Sequence, residues 1–458
     1  MDASKQSTLS RRTFLQATAM LAAGSALAAC MPAAAPQAGA GGEAAPGETT
    51  GTIQFWVGWG ELTPFFDQFK QMPEYQEIMG GDDVQLKPSV KTEALLTAIA
   101  AGTPPDITSE ALYMDLMARG VLSPIEEWVT ASQYVKPADF IEGNWTRGSY
   151  QGVQYGVPAL ECFVRFGLNY NARLVEAAGL DPDSPPVTWD DALTWHKALT
   201  KFDSAGNLLQ IGLDPYDAEG SAVGDGFLAA RSWGFQWFDE DAGTFNLDNP
   251  QMAAAFDTMA EFYRIAGPDN MAAMRSVEGQ DTWGGSFNAE VQAMIIEGYW
   301  HPGETFVQKP EVAAFNRATW VPVPSERNGA KVQGTGGHMI IFFKEGKLAP
   351  NGFKFAEFLT AKPACDLVFS QVGWLPAFKP YIDATDPSVY PGLDFYFKSV
   401  AEATEMEAPA NCPITAYVQA TYDELNEKVY RDEMTGEQAA AEFQSRVEAE
   451  WTAQGFGA

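Results

Sequence analysis

The chain has 458 residues, enough for two or three domains at roughly 150 residues each, and each can bury a full core without a disulfide or metal staple. Apolar residues at 46% and aromatics at 12% exclude a disordered chain. Asp plus Glu number 60 against 29 Lys plus Arg, and the resulting formal charge of −31 argues against nucleic acid and polyanionic substrates. Charged residues are only 19% of the chain, below the usual share of about 25%, so the acidity comes from scarce cations. With three His, a His-rich metal site is not expected, and no metal or cofactor is implied.

Residues 1–29 read as an address. Ser10-Arg11-Arg12-Thr13-Phe14-Leu15 resembles a twin-arginine export signal. Ala17 to Ala29 is apolar but too short to span about 30 Å of hydrocarbon, as suits a signal peptide. Leu27-Ala28-Ala29-Cys30 resembles a lipobox, which predicts lipidation of Cys30 and anchorage to the cell membrane; a plain signal followed by an incidental Cys is the alternative. Removing residues 1–29 leaves 429 of the 458 residues and moves the charge from −31 to −33, because the segment carries Lys5, Arg11 and Arg12 against Asp2. Residues 30–50 are rich in Ala, Pro and Gly and read as a flexible tether.

Alternating Ile53, Phe55 and Val57 predict the first strand, and Gly58-Trp59-Gly60-Glu61 the loop after it. A helix from Pro64 to about Gln71, a strand at Val84 to Leu86 and a helix from Thr92 to Ala101 follow. That last helix sets Leu95, Leu96 and Ile99 on one face and ends at Gly102 and Pro104-Pro105. Extended chain resumes at Asp106-Ile107-Thr108, and the β-α-β-α order predicts an open, mostly parallel sheet. Tyr150 to Pro158 reads as a hairpin leading to a strand over Phe163 to Tyr170. Thr188-Trp189-Asp190-Asp191 and Thr435-Gly436-Glu437-Gln438 read as capping boxes opening helices, the second a terminal helix burying Ala440, Phe443, Val447 and Trp451. Gly334, Gly336 and Gly337 precede a strand from Met339 to Phe343. Cys162, Cys365 and Cys412 fit no zinc or redox spacing; three buried thiols is the preferred reading, with one disulfide and an odd thiol left open.

No HExxH, P-loop, CxxC or nucleophile elbow is present. Asp239, Asp241 and Gly243 begin like a calcium loop, but Pro250 stands where the bidentate Glu belongs, so a turn between strands is expected.

Several segments together resemble, in order, the family 1 extracellular solute-binding proteins of ABC importers, the group that includes maltodextrin-binding protein. They are Ile53-Gln54-Phe55-Trp56, the run from Leu96 to Ile107, Gly120 to Ile125, and Tyr155 to Glu161 leading to Tyr170-Asn171. Gly179 to Pro182, Pro186 to Asp190, Phe287 with Ala293-Met294, Gly298-Tyr299-Trp300 and Gly373 to Pro376 complete the series, over roughly residues 51–458. The resemblance implies an α/β, two-lobed periplasmic-binding-protein fold of type II-like arrangement, with the ligand in a cleft between lobes joined by hinge crossover strands. The implied lobes are 51–160 plus 338–383 and 161–337 plus 384–458, with crossings near Glu161, Gly334 to Gly337 and Lys379 to Asp386. A crossover glycine such as Gly337 would absorb the dihedral change of hinge closure.

A sugar offers C–H faces to aromatic planes and hydroxyls to carboxylates. Trp59 and Glu61 are candidates because they follow a strand C-terminus, where open α/β sheets bind ligands. The resemblance adds Glu110 and Tyr113 after the Pro-Asp-Ile stretch, Glu161 after the crossover Pro, and Trp300 as a stacking residue. Tyr216 and Trp283 on second-lobe loops, Gly337 and His338 at the second crossover, Trp374 between Gly373 and Pro376, and Tyr417 complete the set. The maltodextrin binders' Trp near position 110 is replaced here, so the sugar is not fixed by resemblance. The expected protein is a monomeric, non-enzymatic receptor, tethered outside the cell membrane, that hands a mono- or oligosaccharide to permease subunits. A cationic solute such as a polyamine is the rival within that class. A carbohydrate-active hydrolase, which needs two carboxylates at about 5–5.5 or 6.5–9.5 Å, and a sensing or adhesion lipoprotein are rivals outside it.

Overall fold

The computed structural model describes residues 50–109, 113–224, 226–277 and 285–456. Two five-stranded sheets organise them. The first sheet runs Asp83–Lys87, Thr52–Val57, Ile107–Ser109, Met339–Phe342, Gly156–Pro158. Its first three strands are parallel, with Phe55 opposite both Leu86 and Ile107. Ile53, Phe55 and Val57 are buried and alternate with exposed or half-buried neighbours, so the periodicity read from sequence sets the facing of this strand. Met339–Phe342 lies antiparallel to both of its neighbours. The expected mostly parallel sheet therefore holds for three strands only, because the fourth returns directly from the other sheet rather than through a covering helix.

The second sheet runs Asn316–Thr319, Gly167–Asn171, Gln292–Glu297, Leu208–Leu213, Lys201–Phe202. Gly167–Asn171 and Gln292–Glu297 are buried at every position, as strands covered on both faces must be. Both capping boxes form, Thr188 with Asp191 and Thr435 with Gln438, and start the helices Trp189–Leu199 and Gly436–Ala453. The helices Pro250–Ala266, Thr415–Tyr430 and Gly436–Ala453 pack together in the core of this sheet. Asp239 to Gly243 is the turn of a small hairpin. On the helix Thr92–Ala100 only Leu95 is fully buried, while Leu96 is 41% exposed, so the predicted three-residue face is not a core face. Cys162, Cys365 and Cys412 are buried free thiols, and burial pushes each up to about 12.

Two crossovers join the sheets and run side by side in opposite directions. The Arg165 N–H donates to the Gly334 carbonyl at 2.9 Å, Gly336 to Phe163 at 3.2 Å and His338 to Glu161 at 2.6 Å. The predicted strand from Phe163 is thus crossover as far as Phe166, and sheet strand only from Gly167. Gly337 has φ +117, and a Cβ there would lie 2.5 Å from both Cys162 Cα and the Glu161 carbonyl oxygen, so this close approach needs glycine. A third link runs through the helix Leu393–Glu402 to Glu405–Glu407, which pairs in parallel with Val332–Gly334.

Candidate functional site

The crossovers carry a closed circuit of polar and aromatic side chains. Trp59, just beyond the first strand, donates its Nε1–H to His338 Nδ1 at 3.2 Å. That acceptor role leaves the ring proton of a neutral His338 on Nε2, which faces Glu161 Oε2 at 3.7 Å. Arg165 Nη1 bonds both oxygens of Glu161, at 2.9 and 3.0 Å, and Nη2 reaches Glu219 at 2.7 Å. The guanidinium sits 4.1 Å from the centre of the Trp300 ring, a cation–π contact in a site sealed from water. Trp300 in turn hydrogen-bonds Glu297. Across the circuit, Trp374 donates to Glu304 at 2.7 Å and meets Trp59 edge-on at 5.0 Å.

All of these side chains except His338 are buried. Burial first, then the neighbouring Glu219 and Asp217, raises the Glu297 carboxyl well above its usual range. Burial, then Glu297, does the same to Glu304. Burial thus favours the neutral form of both, which can donate through its hydroxyl, whereas Glu161 and Glu219 face the Arg165 cation. His196 and His301 are buried imidazoles that burial lowers to about 4 and about 3, so His338 is the one histidine in the circuit.

Of the residues singled out in sequence, the structure gathers Trp59, Glu161, Trp300, His338 and Trp374 directly. Glu61 is half-buried and lies close enough to act on Glu304. Tyr113 joins through Gly337, whose carbonyl its hydroxyl bonds at 3.1 Å. Trp300 has one face covered by Arg165, and Trp374 is fully buried, so neither is an open stacking platform in this conformation. Two residues lie elsewhere. Tyr216 is buried in the second core, 5.6 Å from Tyr263 and 6.1 Å from Tyr422 by ring centres, and Tyr417 packs on that core and bonds Arg446. Their aromatic character serves packing there. Glu110, Trp283 and Cys30 lie outside the described residues.

Sequence reasoning missed Arg165, Glu219, Glu297 and Glu304. Two of them left a trace: Arg165 interrupts the apolar run Cys162-Phe163-Val164-Arg165-Phe166, and Glu297 ends Ala293-Met294-Ile295-Ile296. A charge inside a buried stretch has to be paired or neutralised, which marks it for attention.

Residues 45–364 match the bacterial extracellular solute-binding protein family over well more than half of the chain. The chain belongs to that family. No curated protein matches it by sequence. Among solved structures, the solute-binding protein resembles CpMnBP1 with mannotriose bound, at 20% identity and TM-score 0.74, over 86% of this chain and 99% of that one. An ABC transporter solute-binding protein from Thermotoga lettingae, bound with α-D-tagatose, gives 20% identity and TM-score 0.73 over 87% and 99%. The sugar-binding protein MalE from Xanthomonas citri gives 17% identity and TM-score 0.65 over 89% and 100%. At these identities the likeness establishes the shared two-lobed fold. Family membership places the protein's work outside the cytoplasm. Among the described residues no helix is long and apolar enough to cross a membrane, and no group of three or more His, Cys, Asp or Glu side chains is set to hold a metal ion.

Proposed function

We propose that this solute-binding protein is the receptor of an ABC importer that captures a mono- or oligosaccharide between its lobes and delivers it to a permease by hinge closure. The observation that carries the reading is the composition of the circuit. It unites three Trp, five Glu, one Arg and one His where the two crossovers run together. With lobes drawn as 51–160 plus 338–383 and 161–337 plus 384–458, Trp59, Glu61, His338 and Trp374 come from the first. Glu161, Arg165, Glu219, Glu297, Trp300 and Glu304 come from the second. A ligand touching both sets favours the closed arrangement, which is the only way binding can shift a hinge. Protonated Glu297 and Glu304 donate to sugar oxygens, and ionised carboxylates accept from sugar hydroxyls. The bound sugars of the structural relatives, mannotriose and tagatose among them, support the same class.

In this reading residues 1–29 direct export, lipid on Cys30 holds a monomeric receptor at the outer face of the cell membrane, and residues 30–50 are its tether. In this reading the receptor binds without turning its ligand over, with both oxygens of Glu161 held by Arg165. Calorimetric titration with mannobiose, maltose, tagatose and mannitol tests the proposal. Trp300→Ala should weaken the sugar that binds by at least tenfold, and a change within twofold would remove Trp300 from the site. A second reading, a cationic solute such as a polyamine, is favoured by the surplus of carboxylates in the circuit. Its binding would weaken steeply with salt, whereas neutral sugar binding would not.

A further inference from the structure

Away from the circuit, two side chains on the first-sheet side, Asp115 and Arg147, reach backbone groups of the second core. The helix Tyr113–Ala118 packs Tyr113, Met114, Leu116 and Met117 against Met339, Ile341 and Phe343 of the first sheet. Its Asp115 carboxylate accepts the backbone N–H groups of Thr415 and Ala416. Those two residues open the 16-residue helix Thr415–Tyr430, whose Val418, Tyr422 and Leu425 are core to the other side. That helix has Ile414 at its N-cap and no side-chain cap of its own. Helix N-termini leave N–H groups without intrahelical partners, and a carboxylate there satisfies them and suits the helix dipole. Here the capping group comes from across the molecule, 300 residues earlier in the chain.

Arg147, 1% exposed, makes the second connection. Its Nη2 donates to the Gly224 carbonyl at 2.5 Å, in the loop before the second-core helix Leu228–Trp233. Its Nε donates to the Tyr113 hydroxyl, which donates onward to the Gly337 carbonyl on the crossover. One hydrogen-bonded chain thus ties the first-sheet helix to the crossover and to the second core.

We propose that Asp115 and Arg147, joined through Tyr113, act as a positioning strap that holds the two sheets at the angle seen here and so sets how much unliganded protein stands ready to bind. Rotation about the crossovers separates side chains on one side from backbone groups on the other, so these bonds form in one arrangement and are exchanged for water in the other. A receptor whose competent arrangement is only partly populated binds with affinity reduced by that fraction, so the strap controls affinity without touching ligand. Burial pushes the Asp115 carboxyl up to about 7 against the pull of Arg119 and the two N–H groups. An amide oxygen in the same place can also accept from these N–H groups, as Asn does at helix N-caps.

Small-angle scattering of the unliganded full chain, for which compact-domain scaling at 458 residues gives a radius of gyration of about 23 Å, reads the strap directly. Asp115→Ala and Arg147→Met should each expand it by roughly 1 Å, while Asp115→Asn, which keeps a carbonyl acceptor, stays at the wild-type value. Asp115→Ala should also weaken mannobiose by about fivefold, and saturating mannobiose should restore the compact scattering. Wild-type scattering in both Asp115→Ala and Arg147→Met, with melting unchanged, overturns the strap. Asp115 is partly exposed, so its Ala variant decides the matter if Arg147→Met does not fold. The affinity arm rests on the sugar reading and the scattering arm does not: if mannobiose fails to bind wild type, that reading loses its support while the scattering still decides.

Discussion

Two buried aromatic regions of this molecule look alike in composition and differ in consequence. Around Tyr216, the rings of Tyr263, Tyr422, Tyr430, Phe227 and Phe443 pack within one core. Around Trp59, the rings of Trp374 and Trp300 alternate with Glu161, Arg165, Glu304 and His338, and two of the contacts, Trp374 to Glu304 and His338 to Glu161, join segments distant in the chain. The first region converts ring area into stability. The second accepts the cost of burying charge, offset by pairing and by protonation, and sits where the chain crosses. Aromatic residues thus mark a candidate site here only when charge and a crossover accompany them.

The largest separation between the regions should come from Phe443→Ala. The side chain is fully buried and stacks near Tyr422, so its loss should lower unfolding stability by about 3–5 kcal/mol in urea titration. Affinity per folded molecule should be unchanged, and a parallel loss of sugar binding would erase the distinction. Arg165→Met should cost about 3–5 kcal/mol at pH 8, because it leaves Glu161 and Glu219 buried without their cation. That loss should shrink at pH 5 as the stranded carboxyls take protons, and sugar binding should fall with it. A pH-independent loss would mean that Arg165 acts by packing on Trp300 alone.

The smallest effect is expected from Glu304→Gln, which keeps an oxygen for the Trp374 indole. In the fold the Glu304 carboxyl holds its proton well above the usual range, while in the unfolded chain it ionises near its ordinary value. Stability from this group is therefore complete below the ordinary carboxyl pKa and declines as pH rises above it, toward the folded value. The Gln variant lacks that decline. It should match wild type within about 1 kcal/mol at pH 5 and exceed it at pH 8. A deficit at both pH values would show that Glu304 is ionised in the fold.

The local grammar was legible in sequence where one residue type performs one task. Ile53, Phe55 and Val57 alternate because one face is core, and Thr188 and Thr435 cap because a hydroxyl precedes a helix. Gly337 stood out as a crossover glycine, but the close approach to Glu161 and Cys162 that requires it shows only in the structure. The resemblance supplied Glu161 and Trp300 as candidates. What stayed hidden depends on partners distant in the chain. Glu219 meets Arg165 across 54 residues, and Glu304 meets Trp374 across 70. Tyr216 carried the same ring as a ligand-binding tyrosine, and only its neighbours show that it packs a core. The antiparallel insertion of Met339–Phe342 was likewise invisible to a reading that followed strands and helices in order.

The last two helices have a consequence for how the protein comes into being. Val418, Tyr422, Leu425, Phe443 and Val447 complete a core whose other side is built by Met252, Phe256 and Met259, almost two hundred residues earlier. A chain emerging from the ribosome cannot close this core until the helices Thr415–Tyr430 and Gly436–Ala453 have been made, so one face of Pro250–Ala266 waits for partners that come much later in the chain. Such non-local pairing slows folding and exposes sticky surface.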